Sequence, residues 1–189
     1  MTNAHRRRKQ PDIVRHQLMD VAARLCLENG LHGLTLDGVA KEAGVSKGGL
    51  LHHFPSKQAL LDALSQCCLD DLERRLAEQL EKDGERTKGR FARAYLKVLV
   101  DSQDRPDRER WDNLGSLFMS DAGMRKHWHK WLTRQLAEHA ETDDGISSVI
   151  VRLAADGLWL SDFVGSPGMS HARRELVIRR LESMAGDDT

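Results

Sequence analysis

The chain has 189 residues, and its 29 Lys and Arg side chains balance its 29 Asp and Glu side chains. This length is enough to bury a core without disulfides, and the three cysteines, two of them adjacent at Cys67 and Cys68, fit a reducing compartment better than a disulfide framework. No apolar run approaches the roughly 20 residues that span a bilayer, and residues 1–10 are too polar for a signal peptide, so we expect a soluble cytoplasmic protein with no membrane partner.

The first predicted helix begins at about Pro11, because proline is favoured in the first turn of a helix. Its apolar side chains recur every three or four residues, which indicates one buried stripe. Gly30 ends this helix, since glycine adopts a left-handed cap without strain. Residues 1–10, which include a basic run at residues 6–9, are expected to form a disordered arm. The arm either follows the DNA backbone or minor groove, or only adds solubility.

Two short helices and one long helix come next. The second helix starts near Thr35 and ends before Gly44, and Ser46 is the predicted N-cap of a third helix that ends at Pro55. Ser56 then caps a long fourth helix with leucines at helical spacing.

The same periodicity predicts five further helices, at about residues 88–102, 108–120, 122–140, 146–164 and 171–184. Strand-like alternation is absent from the sequence. We therefore predict an all-α fold of about nine helices, in which a three-helix head (residues 1–56) precedes a larger helical body (residues 57–189).

Residues 36–54 carry the most informative pattern, because two short helices joined by a tight turn with a glycine are typical of a helix-turn-helix. Ala40 and Ala43 are small enough for the helices to cross closely, and Gly44 supplies the bend. The next helix is then held outward, so that its first residues can enter a major groove. Residues 1–60 also hold nine basic and five acidic side chains, against twenty and twenty-four in the remainder. This asymmetry favours a polyanionic partner.

Three blocks in this region carry a family resemblance: Val45-Ser46-Lys47-Gly48, His53-Phe54-Pro55-Ser56-Lys57 and Ala59-Leu60-Leu61. With them, the stretch from Val21 to Leu64 resembles the TetR family of repressors. The segment at residues 154–159 resembles the start of the dimer helix in relatives that repress multidrug efflux. The resemblance implies a homodimeric, ligand-responsive repressor that binds double-stranded DNA and is not an enzyme.

Physical roles follow for the residues of the predicted DNA surface. Lys47 can donate to guanine or to phosphate, and the bare backbone of Gly48 and Gly49 can approach the bases closely. The family usually has threonine and two tyrosines where this chain has Gly49, Leu51 and His52, so we expect Leu51 to touch a thymine methyl and His52 to replace a phosphate contact. The predicted DNA-binding residues are Thr35, Ser46, Lys47, Gly48, Gly49, Leu51, His52, His53 and Lys57.

The predicted helix at residues 146–164 is apolar on more than one face, which is too much for the surface of a monomer. Gly157 permits the close approach of a second helix. We expect a two-fold dimer in which this helix packs with the one at residues 171–184. The predicted dimer interface consists of Leu153, Gly157, Leu158, Leu176 and Leu181.

Large apolar side chains are concentrated between Phe91 and Trp131. They form either core alone or the wall of a cavity that suits a bulky apolar ligand. The pattern places no Lys or Arg pair at an obvious interior position, where it could bind an acidic ligand. We therefore expect an apolar or lipophilic cationic effector, with Asp101, Asp112 and Asp121 as candidate counter-charges. The predicted ligand-binding residues are Trp111, Leu114, Phe118, Met119, Trp128 and Trp131.

Other chemistries have weaker support in the sequence. His127 and His129 lie about 200° apart on a helix and cannot both bind one metal, so we predict neither a metal nor a cofactor. Adjacent Cys67 and Cys68 would form a strained bridge. A small all-α enzyme would need a titratable cluster, which the sequence does not show. A constitutive DNA-organising protein, the other alternative, would have no ligand cavity and no sequence preference.

Overall fold

A computed structural model describes residues 3–84, 88–100, 121–165 and 168–187, with side chains from residue 11 onward except at position 27. Within these ranges the chain forms nine helices and no strand, which confirms the predicted all-α fold. The helices are α1 (Asn3–Gly33), α2 (Leu36–Glu42), α3 (Lys47–His53), α4 (Lys57–Lys82), α5 (Arg90–Val100), α6 (Ala122–Glu138), α7 (Ala140–Asp143), α8 (Ile146–Phe163) and α9 (His171–Met184). The helix predicted at residues 108–120 lies outside the described residues.

Helix α1 begins at Asn3, eight residues before the predicted start at Pro11. The backbone of residues 3–10, expected as a disordered arm, is therefore helical. Ala, Arg, Lys and Gln make up most of this segment and are strong helix formers, so helical geometry extends to the N-terminal side of the proline. At the other end, Gly30 has φ 66° and interrupts the helical geometry where the sequence predicted the stop.

The helix predicted at residues 122–140 ends at Glu138, two residues early, and the short α7 follows after His139. At the end of α7, the buried carboxylate of Asp143 accepts hydrogen bonds from the backbone amides of Phe91 (3.0 Å) and Ala92 (2.8 Å). These amides belong to the first turn of α5, which has no intrahelical partners for them. The chain turns after α6 and so brings this carboxylate to the start of α5.

The described residues within Met1–Cys68 and Glu109–Trp128 form one compact unit, and those within Leu69–Arg108 and His129–Thr189 form a second. The apolar core of the first unit joins α1, α2 and α3 to Leu60, Leu61, Leu64 and Cys68 of α4 and to Met124 of α6. Because α4 contributes these buried side chains, the first unit extends beyond the predicted boundary at residue 56.

In the second unit α5 packs against α8 and carries the buried aromatic side chains Phe91 and Tyr95. Gly89 precedes α5 with φ 66°, and a Cβ at this position would lie 1.7 Å from the backbone oxygen of Ala185. Only glycine therefore fits where the start of α5 meets the end of α9. In the described part of the chain, no helix combines the length and apolar character needed to cross a membrane.

Candidate nucleic-acid interface

The turn between α2 and α3 has the tight geometry that the sequence predicted. Gly44 adopts φ 67°, and the amide of Val45 donates to the backbone oxygen of Ala40 at 3.0 Å. Ala40 and Ala43 are buried against the core, as is Leu50 on the inner face of α3. The outer face of α3 is thereby presented to solvent at a fixed angle.

Each helix of this region begins with a side-chain cap. The hydroxyl of Thr35 accepts from the amide of Gly38 at 3.0 Å, and the hydroxyl of Ser46 accepts from the amide of Gly49 at 3.1 Å. Ser56 caps α4 in the same way, through the amide of Ala59 at 3.1 Å. Such caps satisfy amides that have no intrahelical acceptor, so Thr35 and Ser46 have a structural role in addition to the predicted DNA contact.

Helix α1 holds the C-terminal ends of α2 and α3, a function that the sequence analysis missed. The side-chain amide nitrogen of Gln17 (Nε2) donates to the backbone oxygen of Ala43 at 3.2 Å. The guanidinium of Arg15 donates to the backbone oxygen of His53 at 3.2 Å and lies 4.4 Å from the ring centroid of Phe54. These partners are 26 and 38 residues apart, so no local pattern could have indicated them.

The predicted DNA-binding residues lie on α3 and at the ends of the neighbouring helices. Six are exposed, namely Thr35, Ser46, Lys47, Gly48, Leu51 and His52, and three are half-buried, namely Gly49, His53 and Lys57. A Cβ at Gly48 would meet nothing within 4 Å, so this backbone lies open to solvent. The arrangement brings Lys47 and Gly48 together at the exposed start of α3.

Two lysines of this surface have partners that the sequence did not predict. The ammonium of Lys57 donates to the backbone oxygen of Leu31 at 2.5 Å and so ties the start of α4 to the end of α1. The ammonium of Lys47 forms an ion pair with Asp37, with a distance of 2.9 Å between Nζ and Oδ1. Asp37 lies in the first turn of α2 and was not among the predicted site residues.

The predicted dimer residues separate into two groups in the second unit. Leu158 and Leu181 are buried within the protomer, because they lie on the inner faces of α8 and α9, so they cannot form the surface that was predicted for them. Leu153 and Leu176 are 66% and 61% exposed, and Gly157 is exposed as well. Four further apolar side chains are exposed on or just after α8, namely Ile146, Ile150, Leu160 and Val164.

Four of the six predicted ligand-binding residues, Trp111, Leu114, Phe118 and Met119, lie outside the described residues. Trp128 is half-buried and Trp131 is buried. Of the candidate counter-charges, Asp101 and Asp112 also lie outside the described residues. Asp121 caps α6 by accepting from the amide of Met124 at 2.8 Å.

Metal and thiol chemistry have little support in the described residues. No group of three or more His, Cys, Asp or Glu side chains in that part of the chain is arranged to hold a metal ion. Burial raises the pKa of the Cys26 thiol to about 11, so this cysteine stays protonated and unreactive.

Comparison with known proteins identifies the class to which this fold and surface belong. Residues 18–64 match the family "Bacterial regulatory proteins, tetR family", and residues 89–186 match the family "Tetracyclin repressor-like, C-terminal domain". The second match alone spans about half of the chain. The chain therefore belongs to the TetR family of transcriptional regulators, with its DNA-binding domain at the N-terminal end.

Individual relatives agree with this assignment. The transcriptional repressor KstR2 of Rhodococcus jostii is 37% identical over 86 residues, a match that covers 46% of this chain but only 39% of the relative. The transcriptional regulator BetI 1 of Chromohalobacter salexigens is 28% identical over 195 residues, covering 94% of this chain and 93% of the relative.

Solved structures share the fold. The multidrug binding protein EbrR complexed with malachite green is 22% identical, with a TM-score of 0.67 and coverage of 88% of this chain and 96% of that one. The TetR-family member SCO1917 from Streptomyces coelicolor A3 is 20% identical, with a TM-score of 0.69 and coverage of 89% and 97%.

Proposed function

We propose that this protein is a homodimeric repressor that binds a palindromic operator through α3 and leaves it when a small effector binds to the C-terminal domain. The observation that carries the proposal is the exposed start of α3, where Lys47 and Gly48 face solvent on a braced helix-turn-helix. A lysine at this place can donate to base edges or phosphates in a major groove, and a bare backbone allows close approach.

The exposed apolar surface of α8 supports the dimer. Its residues recur at alternating intervals of four and three, the spacing that keeps one helix face against another along its length. They are Ile146, Ile150, Leu153, Gly157, Leu160 and Val164. A second copy of the chain presents the same surface and is self-complementary to it under a two-fold axis. We therefore name α8 of a second copy as the partner, with the exposed Leu176 of α9 beside it.

A two-fold dimer explains why the operator should be palindromic. Two heads related by a two-fold axis present the same helix in opposite directions along the DNA, so they recognise inverted half-sites. Release by an effector then requires that DNA and effector prefer different states of the dimer.

The effector class follows from the apolar composition and from one relative. EbrR has been solved with malachite green and with ethidium, both aromatic cations. The region from Phe91 to Trp131 supplies aromatic side chains to which such cations are attracted by about 0.5–2 kcal/mol per ring. We propose a small apolar or cationic effector for this protein too, with Trp111, Leu114, Phe118, Met119, Trp128 and Trp131 as its contacts.

The dimer is tested by replacing Leu153 with arginine and measuring mass by light scattering. Leu153 is exposed in the protomer, so Leu153→Arg leaves folding intact but places a charge in the proposed interface. We expect a dimeric wild type and a monomeric variant. Ile13→Arg, at a similarly exposed site on α1, is the matched control and should stay dimeric. A monomeric wild type at micromolar concentration would overturn the proposed dimer.

Operator binding and release are tested with duplexes selected from a random library. We expect the wild type to enrich a palindrome, and malachite green to quench tryptophan emission and lower the affinity for that palindrome. Trp128→Ala should bind the operator normally but respond less to the dye, which separates an effect on the protein from an effect on DNA. A constitutive DNA-organising protein would enrich no sequence. Release by a small carboxylate and not by the dye would contradict the proposed effector class.

A further inference from the structure

The ion pair between Asp37 and Lys47 joins the first turns of the two helices of the helix-turn-helix. Lys47 Nζ lies 2.9 Å from Oδ1 and 3.1 Å from Oδ2 of Asp37, so the ammonium contacts both carboxylate oxygens. The two side chains are 63% and 68% exposed. Their charged ends are therefore open to a partner that approaches the start of α3.

The acidic side chain of Asp37 is unexpected on a surface that is proposed to bind DNA. A carboxylate repels the phosphates of DNA, and an ion pair this exposed contributes little to stability. The start of α3 otherwise offers few side-chain groups to a base. Gly48 and Gly49 have no side chain, and the hydroxyl of Ser46 already accepts a hydrogen bond from the backbone amide of Gly49. The pair is thus the main polar feature that the first turn of α3 shows to a base edge.

The spacing of the pair matches the major-groove edge of a G·C base pair. Guanine presents the acceptors N7 and O6, and cytosine presents the N4 amino donor next to O6. Because O6 and N4 are hydrogen-bonded to each other, they lie about 2.9 Å apart. Lys47 Nζ and Asp37 Oδ1 are separated by the same 2.9 Å. After pairing, the ammonium retains hydrogens for guanine and the carboxylate retains lone pairs for cytosine.

We propose that Asp37 is a specificity-determining residue, which accepts from cytosine N4 while Lys47 donates to guanine O6 and N7 of the same base pair. The inference rests on the proposed function, since it assumes that α3 reads an operator. It adds a second base contact, one from α2, to the contact that Lys47 makes from α3.

The other base pairs fit the ion pair less well. A T·A pair in the same orientation also has an acceptor beside a donor, but its methyl group faces the ammonium and adenine N7 faces the carboxylate. In C·G and A·T the donor and acceptor are exchanged, so the ammonium faces an amino donor and the carboxylate faces an acceptor oxygen. Where the ion pair faces only the phosphate backbone, the carboxylate of Asp37 repels the phosphates. Asp37 thus lowers the affinity for wrong sequences as well as supporting the right one.

The test selects duplexes from a randomised library with four proteins: the wild type, Asp37→Asn, Lys47→Gln and Glu42→Gln. Glu42 is the matched control, because it also forms an exposed ion pair, at 2.8 Å with Arg24, but at the opposite end of α2. We expect Asp37→Asn and Lys47→Gln to lose the preference for one and the same G·C pair in each half-site. The ratio of operator to non-operator affinity should fall by about tenfold for each, within the range of a good two-point base contact. Glu42→Gln should keep the wild-type motif.

Salt titration on a non-operator duplex gives a second result. Asp37→Asn frees Lys47 for phosphate, so its log-log salt slope should become steeper by about one. An unchanged motif and slope with Asp37→Asn, or loss of preference at a different base pair from Lys47→Gln, would overturn this inference and leave the proposed function standing. If the wild type enriches no motif at all, the proposed function itself fails, and the inference fails with it.

Discussion

The helix-turn-helix and the C-terminal unit use the same ion-pair chemistry in opposite surroundings. In the helix-turn-helix, Asp37 and Lys47 are mostly exposed. In the C-terminal unit, the side chains of Asp83 and Arg93 are only 7% and 4% exposed, and they meet at 2.6 Å. An exposed pair contributes little to folding and is available to a ligand, whereas a buried pair has no contact with a ligand and becomes costly when one partner is lost. Exposed charged groups are thus available to a partner, whereas buried ones stabilise the fold.

The largest expected effect follows from breaking the buried pair. Arg93→Met leaves the carboxylate of Asp83 buried without its cation, which should lower the free energy of unfolding by about 3–5 kcal/mol. Arg24→Met breaks exposed pairs with Glu42 and Glu28 and should lower the free energy of unfolding far less, because solvent screens these charges. Urea unfolding followed by circular dichroism measures both variants. Equal losses in the two variants would refute the distinction between the two regions.

A similar contrast exists between two glycines of positive φ in the C-terminal unit. Gly89→Ala combines a strained backbone with a Cβ placed 1.7 Å from the oxygen of Ala185, so we expect a loss of about 2–5 kcal/mol. Gly84 has φ 65° but open space around it, so Gly84→Ala carries the backbone strain alone, about 1–2 kcal/mol. Thermal unfolding of the two variants tests whether the close approach of α5 to Ala185 matters beyond the strain.

A smaller effect, visible only as a function of pH, is expected at Asp156. Burial raises the pKa of this carboxyl, although a hydrogen bond from the hydroxyl of Tyr95 at 2.6 Å and the charge of Arg152 act to lower it. Because the pKa is higher in the folded state than in the unfolded state, ionisation of Asp156 disfavours folding. The stabilising contribution is complete below the unfolded pKa of about 3.9 and is lost as the pH rises through the folded pKa.

The variant Asp156→Asn cannot ionise but retains an oxygen that accepts from Tyr95. Its stability relative to the wild type should therefore increase as the pH rises above about 4. Unfolding free energies measured from pH 4 to pH 7 give the comparison. A difference that stays constant over this range would show that Asp156 is not the group responsible.

The sequence predicted the helix-turn-helix well because its signals are local. Ser46 caps a helix that begins at the next residue, and Gly44 takes the positive φ that a tight turn requires. The ion pair of Asp37 with Lys47 could also have been found, since both residues start helices whose mutual position the motif defines.

The C-terminal unit was less predictable for an equally physical reason. Periodicity shows that α8 is apolar on more than one face, but it does not show which face packs inside the protomer. The predicted interface therefore includes Leu158, which is buried, and lacks Ile150, which is exposed. The pairs Asp83–Arg93 and Tyr95–Asp156 depend on tertiary packing across 10 and 61 residues, which local patterns do not report.

The central claim is that the exposed start of α3 binds operator DNA, and a salt titration of one variant tests it most directly. The affinity of the wild type and of Lys47→Ala for the selected palindrome is measured by fluorescence anisotropy over a range of salt concentrations. If Lys47 contacts a base, the variant should bind about 1–3 kcal/mol more weakly, and if it contacts phosphate alone, the log-log salt slope should fall by about one. Affinity and slope that both remain at the wild-type values would contradict the account.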